Sequence, residues 1–164
     1  VSFVPVKAAA GYLAGYADPE FIDELNTFTL PMLAPGDYRA FEIVGDSMLP
    51  TPSGSVIVGE KISSFKEVKN SNTYIVVSNS DGVVYKRIIT NDDNSNNGND
   101  RLTLLSDNPL YEPYQVNATD IVEIWKAVYI IHKASSQPMW NVDQLAGVVN
   151  NLQDQIRSLK QKLN

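Results

Sequence analysis

The sequence predicts a mainly β fold, in which a small, partly closed β domain is followed by a C-terminal amphipathic helix. Short apolar stretches recur through the middle of the chain, and glycine-, proline- and asparagine-rich turns separate them. After residue 141 the apolar residues change to a helical spacing. We therefore expect two domains, one over residues 1–137 and a heptad helix over residues 138–164.

The N-terminal residues, up to about residue 17, are rich in alanine and glycine. This composition predicts a strand followed by a turn, in an extended and accessible segment with little packing of its own. A short helix is expected next, because Asp18 can cap its N-terminus and Pro19 can occupy its first position.

The β domain is expected to contain several short strands that follow one another along the chain. Asp81-Gly82 predicts a hairpin turn, since this pair readily adopts the positive φ angles of tight turns. The Asn/Asp-rich stretch 91–100 predicts a solvated, mobile loop. Strands are predicted at residues 38–44, 55–58, 72–78, 83–90, 101–105 and 121–131.

The C-terminal segment carries a heptad pattern. Its a positions are Val142, Val149, Ile156 and Leu163, and its d positions are Leu145, Leu152 and Leu159. β-Branched residues at a combined with leucine at d favour a parallel two-stranded coiled coil, so we expect a homodimer. A single amphipathic helix that folds back on its own β domain is the alternative, and the sequence leaves it open.

Composition excludes several classes of function. The chain has 164 residues, a formal net charge of -6, one histidine and no cysteine. Disulfides and thiolate chemistry are therefore excluded, and we expect neither a metal nor a cofactor. The acidic balance disfavours direct binding to nucleic acid. With no long apolar run and no secretory signal, we expect no membrane contact and a cytoplasmic location. Because the first residue is Val1 and not methionine, we expect a fragment of a longer protein.

Ser47 and Lys86 are the residues most suited to chemistry. Ser47 lies in the turn Gly45-Asp46-Ser47-Met48-Leu49-Pro50, and a serine is a weak nucleophile unless a base takes its proton. The only histidine, His132, has no triad-like surroundings, whereas a desolvated lysine can serve as the base. Lys86 would share one strand face with Val84 and Ile88. The sequence does not decide whether that face or the opposite one is buried.

The chain resembles the LexA/UmuD/phage-repressor family of self-cleaving serine peptidases over roughly residues 3–133. The resemblance rests on four blocks in family order: Ala10-Gly11, Gly45-Asp46-Ser47-Met48-Leu49-Pro50, Val83-Val84-Tyr85-Lys86-Arg87-Ile88 and Leu105-Ser106-Asp107-Asn108-Pro109-Leu110-Tyr111-Glu112-Pro113.

This resemblance implies a role for each block. Ser47 would be the nucleophile and Lys86 the general base, and the backbone amides of Asp46 and Ser47 would be the oxyanion donors. The bond between Ala10 and Gly11 would be the one cleaved. A second Ala-Gly pair, Ala14-Gly15, is the alternative cleavage bond. One departure stands out: the family commonly has an acidic turn after the serine, and here that turn is Pro52-Ser53-Gly54-Ser55.

The resemblance also implies a function. The chain would be the C-terminal regulatory domain of a bacterial or phage-type transcriptional repressor, which dimerises and cleaves itself. Such a protein would contact DNA only through an N-terminal helix-turn-helix domain outside this sequence, and an activating protein filament is a further implied partner. The alternatives are a regulator domain that dimerises or senses a ligand without cleaving and, with less support, a relative of the signal peptidases.

Overall fold

The structure, a computed structural model, describes residues 1–90, 101–134 and 142–162. Internal contacts divide the chain into two units, Val1–His132 and Lys133–Asn164. The strands are β1 (Ser2–Val4), β2 (Tyr38–Glu42), β3 (Val56–Lys61), β4 (Thr73–Ser78), β5 (Gly82–Ile89), β6 (Arg101–Leu105), β7 (Tyr114–Asn117) and β8 (Ile121–Ile131). The helices are α1 (Val6–Gly15), α2 (Pro19–Asp23) and α3 (Val142–Lys162), with short 3₁₀ turns at Phe65–Glu67 and Ala118–Asp120.

The strands of the first unit form one mixed sheet. Its order is β1-β2-β3-β8-β4-β5-β6-β7, so within the described residues β1 and β7 are the edge strands and the sheet is not closed. β1 runs parallel to β2, and the other neighbours are antiparallel. The prediction of a mainly β fold with a C-terminal helix is confirmed.

The sheet is buried on both faces where β4 and β5 cross its centre. Along β4, Ile75 and Val77 belong to one core cluster, which also contains Trp125, whereas the alternate residues Tyr74 and Val76 belong to a second. Successive side chains of a strand point to opposite faces, so the two clusters lie on opposite sides of the sheet. This arrangement explains why these strands are apolar almost without interruption.

The predicted hairpin joins β4 to β5. Gly82 has a φ of +70°, which is the left-handed conformation that the Asp-Gly pair predicts. The hairpin pairs Thr73 with Arg87 and Tyr74 with Lys86, and this register fixes where along β5 the lysine stands. The turn therefore sets the position of the predicted general base.

The prediction of an extended segment before residue 17 is wrong for most of its length. Residues 6–15 form helix α1, and alanine is the residue that favours helices most. Tyr12 is fully buried, and Ala8, Leu13 and Tyr16 pack beside it against the first core cluster. These positions recur at helical spacing, but Gly11 and Gly15 among them indicated a turn in the sequence.

The other helices follow their predictions. The side chain of Asp18 accepts a hydrogen bond from the Glu20 amide, and Pro19 opens α2, as expected. In α3 the heptad residues Leu145, Val149, Leu152, Ile156 and Leu159 are about half exposed. The Leu163 position, the predicted 91–100 loop and the predicted boundary at 137 lie outside the described residues, as does the side chain of Val142.

None of the helices that the structure describes is both long enough and apolar enough to cross a membrane.

Candidate active site

The turn that carries Ser47 is closed by backbone hydrogen bonds. The Ile43 amide donates to the Ser55 carbonyl at 2.9 Å, and the Gly54 amide donates to the Ile43 carbonyl at 2.8 Å. Gly45 has a φ of +95°, a conformation that glycine adopts without strain. Met48 is buried in the first core cluster and anchors the turn, so the neighbouring Ser47 is held at a fixed place.

Ser47 and Lys86 line the same cavity, which has a volume of about 160 Å³. Glu42, Met48 and Tyr85 also line it, as do Val6 and Ala9 from helix α1. The sequence left open which face of β5 is buried, and the structure buries both: Lys86 lies on one face and Tyr85, 6% exposed, on the other. Lys86 is only 8% exposed, an unusual position for a lysine.

Burial changes the chemistry of Lys86. Loss of water around the ammonium lowers the pKa of Lys86 below its ordinary 10.5, and the negative charge of Asp81 opposes this shift only in part. The amine is therefore a more available base near neutral pH than that of an exposed lysine. Within the described residues, Nζ donates its hydrogen bond not to Ser47 but to Ser106 Oγ, at 2.7 Å.

The loop after β6 holds the serine turn in place. The Asn108 side chain donates to the Asp46 carbonyl at 3.0 Å, and the Asn108 amide donates to the Ser47 carbonyl at 3.0 Å. The Tyr111 hydroxyl donates to the Asp46 carboxylate, and the Tyr111 ring centroid lies 5.6 Å from Lys86 Nζ. Sequence reasoning recognised this loop as a family block but gave its residues no role.

The backbone amides of Asp46 and Ser47 are the predicted oxyanion donors. Among the described residues, neither amide donates a hydrogen bond to the protein. A donor that is free in the resting protein can bind an oxyanion without first breaking another bond.

The predicted cleavage bond, between Ala10 and Gly11, lies within helix α1. Ala9, which precedes Ala10, lines the cavity that Ser47 and Lys86 share. The segment is therefore close to the pair, although it is not extended. The competing Ala14-Gly15 pair ends the same helix, and a Cβ on Gly15 would lie only 2.5 Å from the Phe21 ring, so packing alone explains that glycine.

Helix α1 is fixed to the sheet at two points. Near its start, the Val6 amide donates to the Glu42 carboxylate at 3.0 Å. Further along, the buried Tyr12 hydroxyl donates to Glu123 at 2.6 Å and accepts a hydrogen bond from Arg39. Burial, reinforced by the Glu123 carboxylate, raises the pKa of Tyr12 well above its usual range. Tyr12 thus keeps its proton and its bond to Glu123 at any physiological pH.

Glu123 is the centre of a larger buried network. It also accepts a hydrogen bond from the Trp125 indole at 3.1 Å and pairs with Lys61 at 3.2 Å. Arg39 lies 3.7 Å from the same carboxylate, so the single buried acid is balanced by two cations. Sequence reasoning missed this network because its members are far apart along the chain.

The family model described as Peptidase S24-like matches residues 3–129. The chain belongs to the Peptidase S24-like family. The matched region contains Ser47 and Lys86, the Ala10-Gly11 bond and the loop at 106–111 of this S24-like domain. No curated protein matches the chain as a relative.

Proposed function

We propose that the S24-like domain is the C-terminal regulatory part of a transcriptional repressor and that it cleaves its own chain between Ala10 and Gly11. One observation supports the proposal: Ser47 and a buried Lys86 line one cavity, and Ala9, next to the predicted cleavage bond, lines it as well. A buried lysine beside a serine is the arrangement that nucleophilic catalysis without histidine requires.

The reaction follows from these groups. The neutral amine of Lys86 takes the proton of Ser47, and Oγ attacks the Ala10 carbonyl carbon. The amides of Asp46 and Ser47 stabilise the negative charge that develops on the carbonyl oxygen. Lys86 then returns the proton to the Gly11 nitrogen as the C–N bond breaks, and water hydrolyses the resulting ester.

The resting conformation opposes this reaction. In an α-helix each carbonyl bonds to the amide four residues later, so the Ala10 carbonyl is occupied within α1. Ser47 requires a carbonyl that is free and aligned at about 3–3.5 Å. Cleavage therefore requires α1 to unwind over the cavity, and its rate depends on how often that minor state forms.

The pH dependence of cleavage in the unmodified protein tests the proposal. Only neutral Lys86 is a base, so below its pKa the rate should rise about tenfold per pH unit. Because burial lowers that pKa, the rate should level off at a pH below 10.5. Fragment masses should correspond to residues 1–10 and 11–164. A pH-independent rate, a different cut, or no cut up to pH 10.5 would contradict the proposal.

Replacing Tyr12 with phenylalanine should speed cleavage. The substitution removes the hydroxyl that ties α1 to Glu123 and Arg39 but keeps the packed ring. A hydrogen bond to a charged group contributes about 1.5–3 kcal/mol, so a gain of roughly 10- to 100-fold is expected at fixed pH. The matched control is Tyr16→Phe on the same helix, which should leave the rate unchanged. Equal rates for Tyr12→Phe and the unmodified protein would show that the helix does not limit cleavage.

The second function we consider is a regulator domain that only dimerises. Helix α1, held by Glu42 and Tyr12, favours it because the predicted cleavage bond is helical at rest. In either case the domain would supply the two-fold symmetry with which a repressor dimer binds its operator. DNA contact would come from a separate domain, consistent with the net charge of -6 on this chain.

A further inference from the structure

The bond between Lys86 and Ser106 has a defined place in the sheet. Arg87 on β5 pairs with Leu105 on β6, so Ser106 follows directly after the last residue of β6 and stands beside Lys86. Ser106 is 5% exposed and Lys86 is 8% exposed, so their 2.7 Å bond is shielded from water. A hydrogen bond in such a setting is strong and directional.

A neighbouring ion pair fixes this contact. The Arg87 guanidinium makes two bonds to the Asp107 carboxylate, each of 2.7 Å. Such a two-point pair holds the backbone of residue 107 against that of residue 87. This pair therefore helps to hold Ser106, which lies between the end of β6 and Asp107, beside Lys86.

Two other groups act on the Lys86 amine. The Tyr111 ring covers one side at 5.6 Å, and Tyr111 in turn donates to Asp46 in the serine turn. Asp81, from the turn between β4 and β5, acts on the lysine by its charge, but the described residues contain no ion pair to Lys86 within 4.0 Å. Ser106 is thus the one hydrogen-bond partner of Nζ in the described part of the protein.

We propose that Ser106 is a positioning residue that holds the Lys86 amine so that its free lone pair is presented to Ser47. A neutral amine has two N–H bonds and one lone pair, so fixing an N–H on Ser106 restricts where the lone pair points. The inference rests on the proposed function, because it assigns Lys86 the role of base. It explains why the loop at 106–111 contacts both members of the pair.

The test uses Ser106→Ala in the full chain, with two readouts. The first is self-cleavage against pH, in which the plateau rate should fall about tenfold for the loss of one aligning bond. The rise should also move to lower pH, because the hydroxyl that stabilises the ammonium is gone. The second is an NMR titration of Lys86 in the non-cleaving Ser47→Ala background, where Ser106→Ala should lower the pKa of Lys86 by about one unit.

Three further variants serve as controls. Ser106→Thr keeps the hydroxyl and should restore both the plateau and the titration. Ser106→Cys fills a similar space with a weaker hydrogen-bond acceptor, so it should shift both readouts in the same direction as Ser106→Ala. This variant provides the test if Ser106→Ala does not fold. Ser63→Ala removes an exposed serine hydroxyl away from the cavity and should change neither readout.

The titration separates this inference from the proposed function. If the unmodified protein never cleaves but Ser106→Ala lowers the pKa of Lys86, the contact between Ser106 and Lys86 is supported and the peptidase function is contradicted. If Lys86 titrates identically with and without the Ser106 hydroxyl, the positioning role is overturned even in a protein that cleaves. An equal loss of rate in Ser106→Ala and Ser63→Ala, with no pH shift, would also overturn it.

Discussion

Ser47→Ala is expected to stop self-cleavage, lowering the rate by at least about 10³-fold at every pH. The substitution removes the hydroxyl of the proposed nucleophile and leaves the buried Met48 anchor of the turn intact. Mass spectrometry of samples incubated at alkaline pH measures the effect. Ser63→Ala, which changes an exposed serine away from the cavity, should cleave at the unmodified rate.

Lys86→Met provides the complementary half of this prediction. It removes the amine but keeps a long apolar side chain in a position that is 8% exposed, so the protein should fold. Cleavage should stop as completely as in Ser47→Ala, because the two residues act as a unit. The matched control is Lys66→Met at an exposed lysine. A Lys86→Met protein that retains pH-dependent cleavage would show that another group is the base.

Replacing Leu152 and Ile156 with glutamine is expected to convert a dimer into a monomer. These residues occupy successive d and a positions of α3, where they are 51% and 52% exposed in a single chain. A helix of this kind is marginal in water without burial of its apolar stripe. At about 1.5 kcal/mol for each of four side chains in a dimer, the loss is about 6 kcal/mol, which weakens pairing roughly 10⁴-fold.

Sedimentation at micromolar concentration measures this change. The double variant Asn150→Gln and Ser158→Gln, on the other face of α3, should remain dimeric. A chain that ends at Gln137 should behave like the Leu152 and Ile156 variant. If the full chain and the shortened chain both sediment as the same monomer, α3 does not pair chains and the coiled-coil prediction is wrong.

Most of the strands could be predicted because each carries its own local signal, whereas β7 was not predicted. Apolar runs and the Asp-Gly turn predicted β4, β5 and the hairpin between them, and the 101–105 and 121–131 strands have the predicted bounds. Helix α1 was missed because glycine is ambiguous: Gly11 has open space around it and is tolerated in a helix, whereas Gly15 is required by contact with Phe21. Composition alone does not distinguish these two cases.

The site was predictable only in part, for the same physical reason. Ser47 and Lys86 sit in short recognisable strings, and the structure brings them to one cavity. The residues that support the site do not lie in such strings. Ser106, directly after β6, bonds to Lys86 on β5, and Glu123 bonds to Tyr12, 111 positions away in the sequence. Such contacts depend on the order of strands in the sheet, and single-sequence patterns do not encode that order.

If the chain cleaves itself as proposed, strand β1 would separate the breaking of the peptide bond from the release of the N-terminal product. Residues 1–10 include β1, whose Ser2, Phe3 and Val4 pair with Arg39, Ala40 and Phe41, and Val4 is buried in the core. Scission after Ala10 would leave this decapeptide bound as an edge strand of the sheet. The covalent tie would be lost at once, whereas anything joined upstream would depart only when the strand dissociates. The rate at which residues 1–10 dissociate from the sheet, and not the rate of bond cleavage alone, would then set how long the two cleaved parts of the protein stay together.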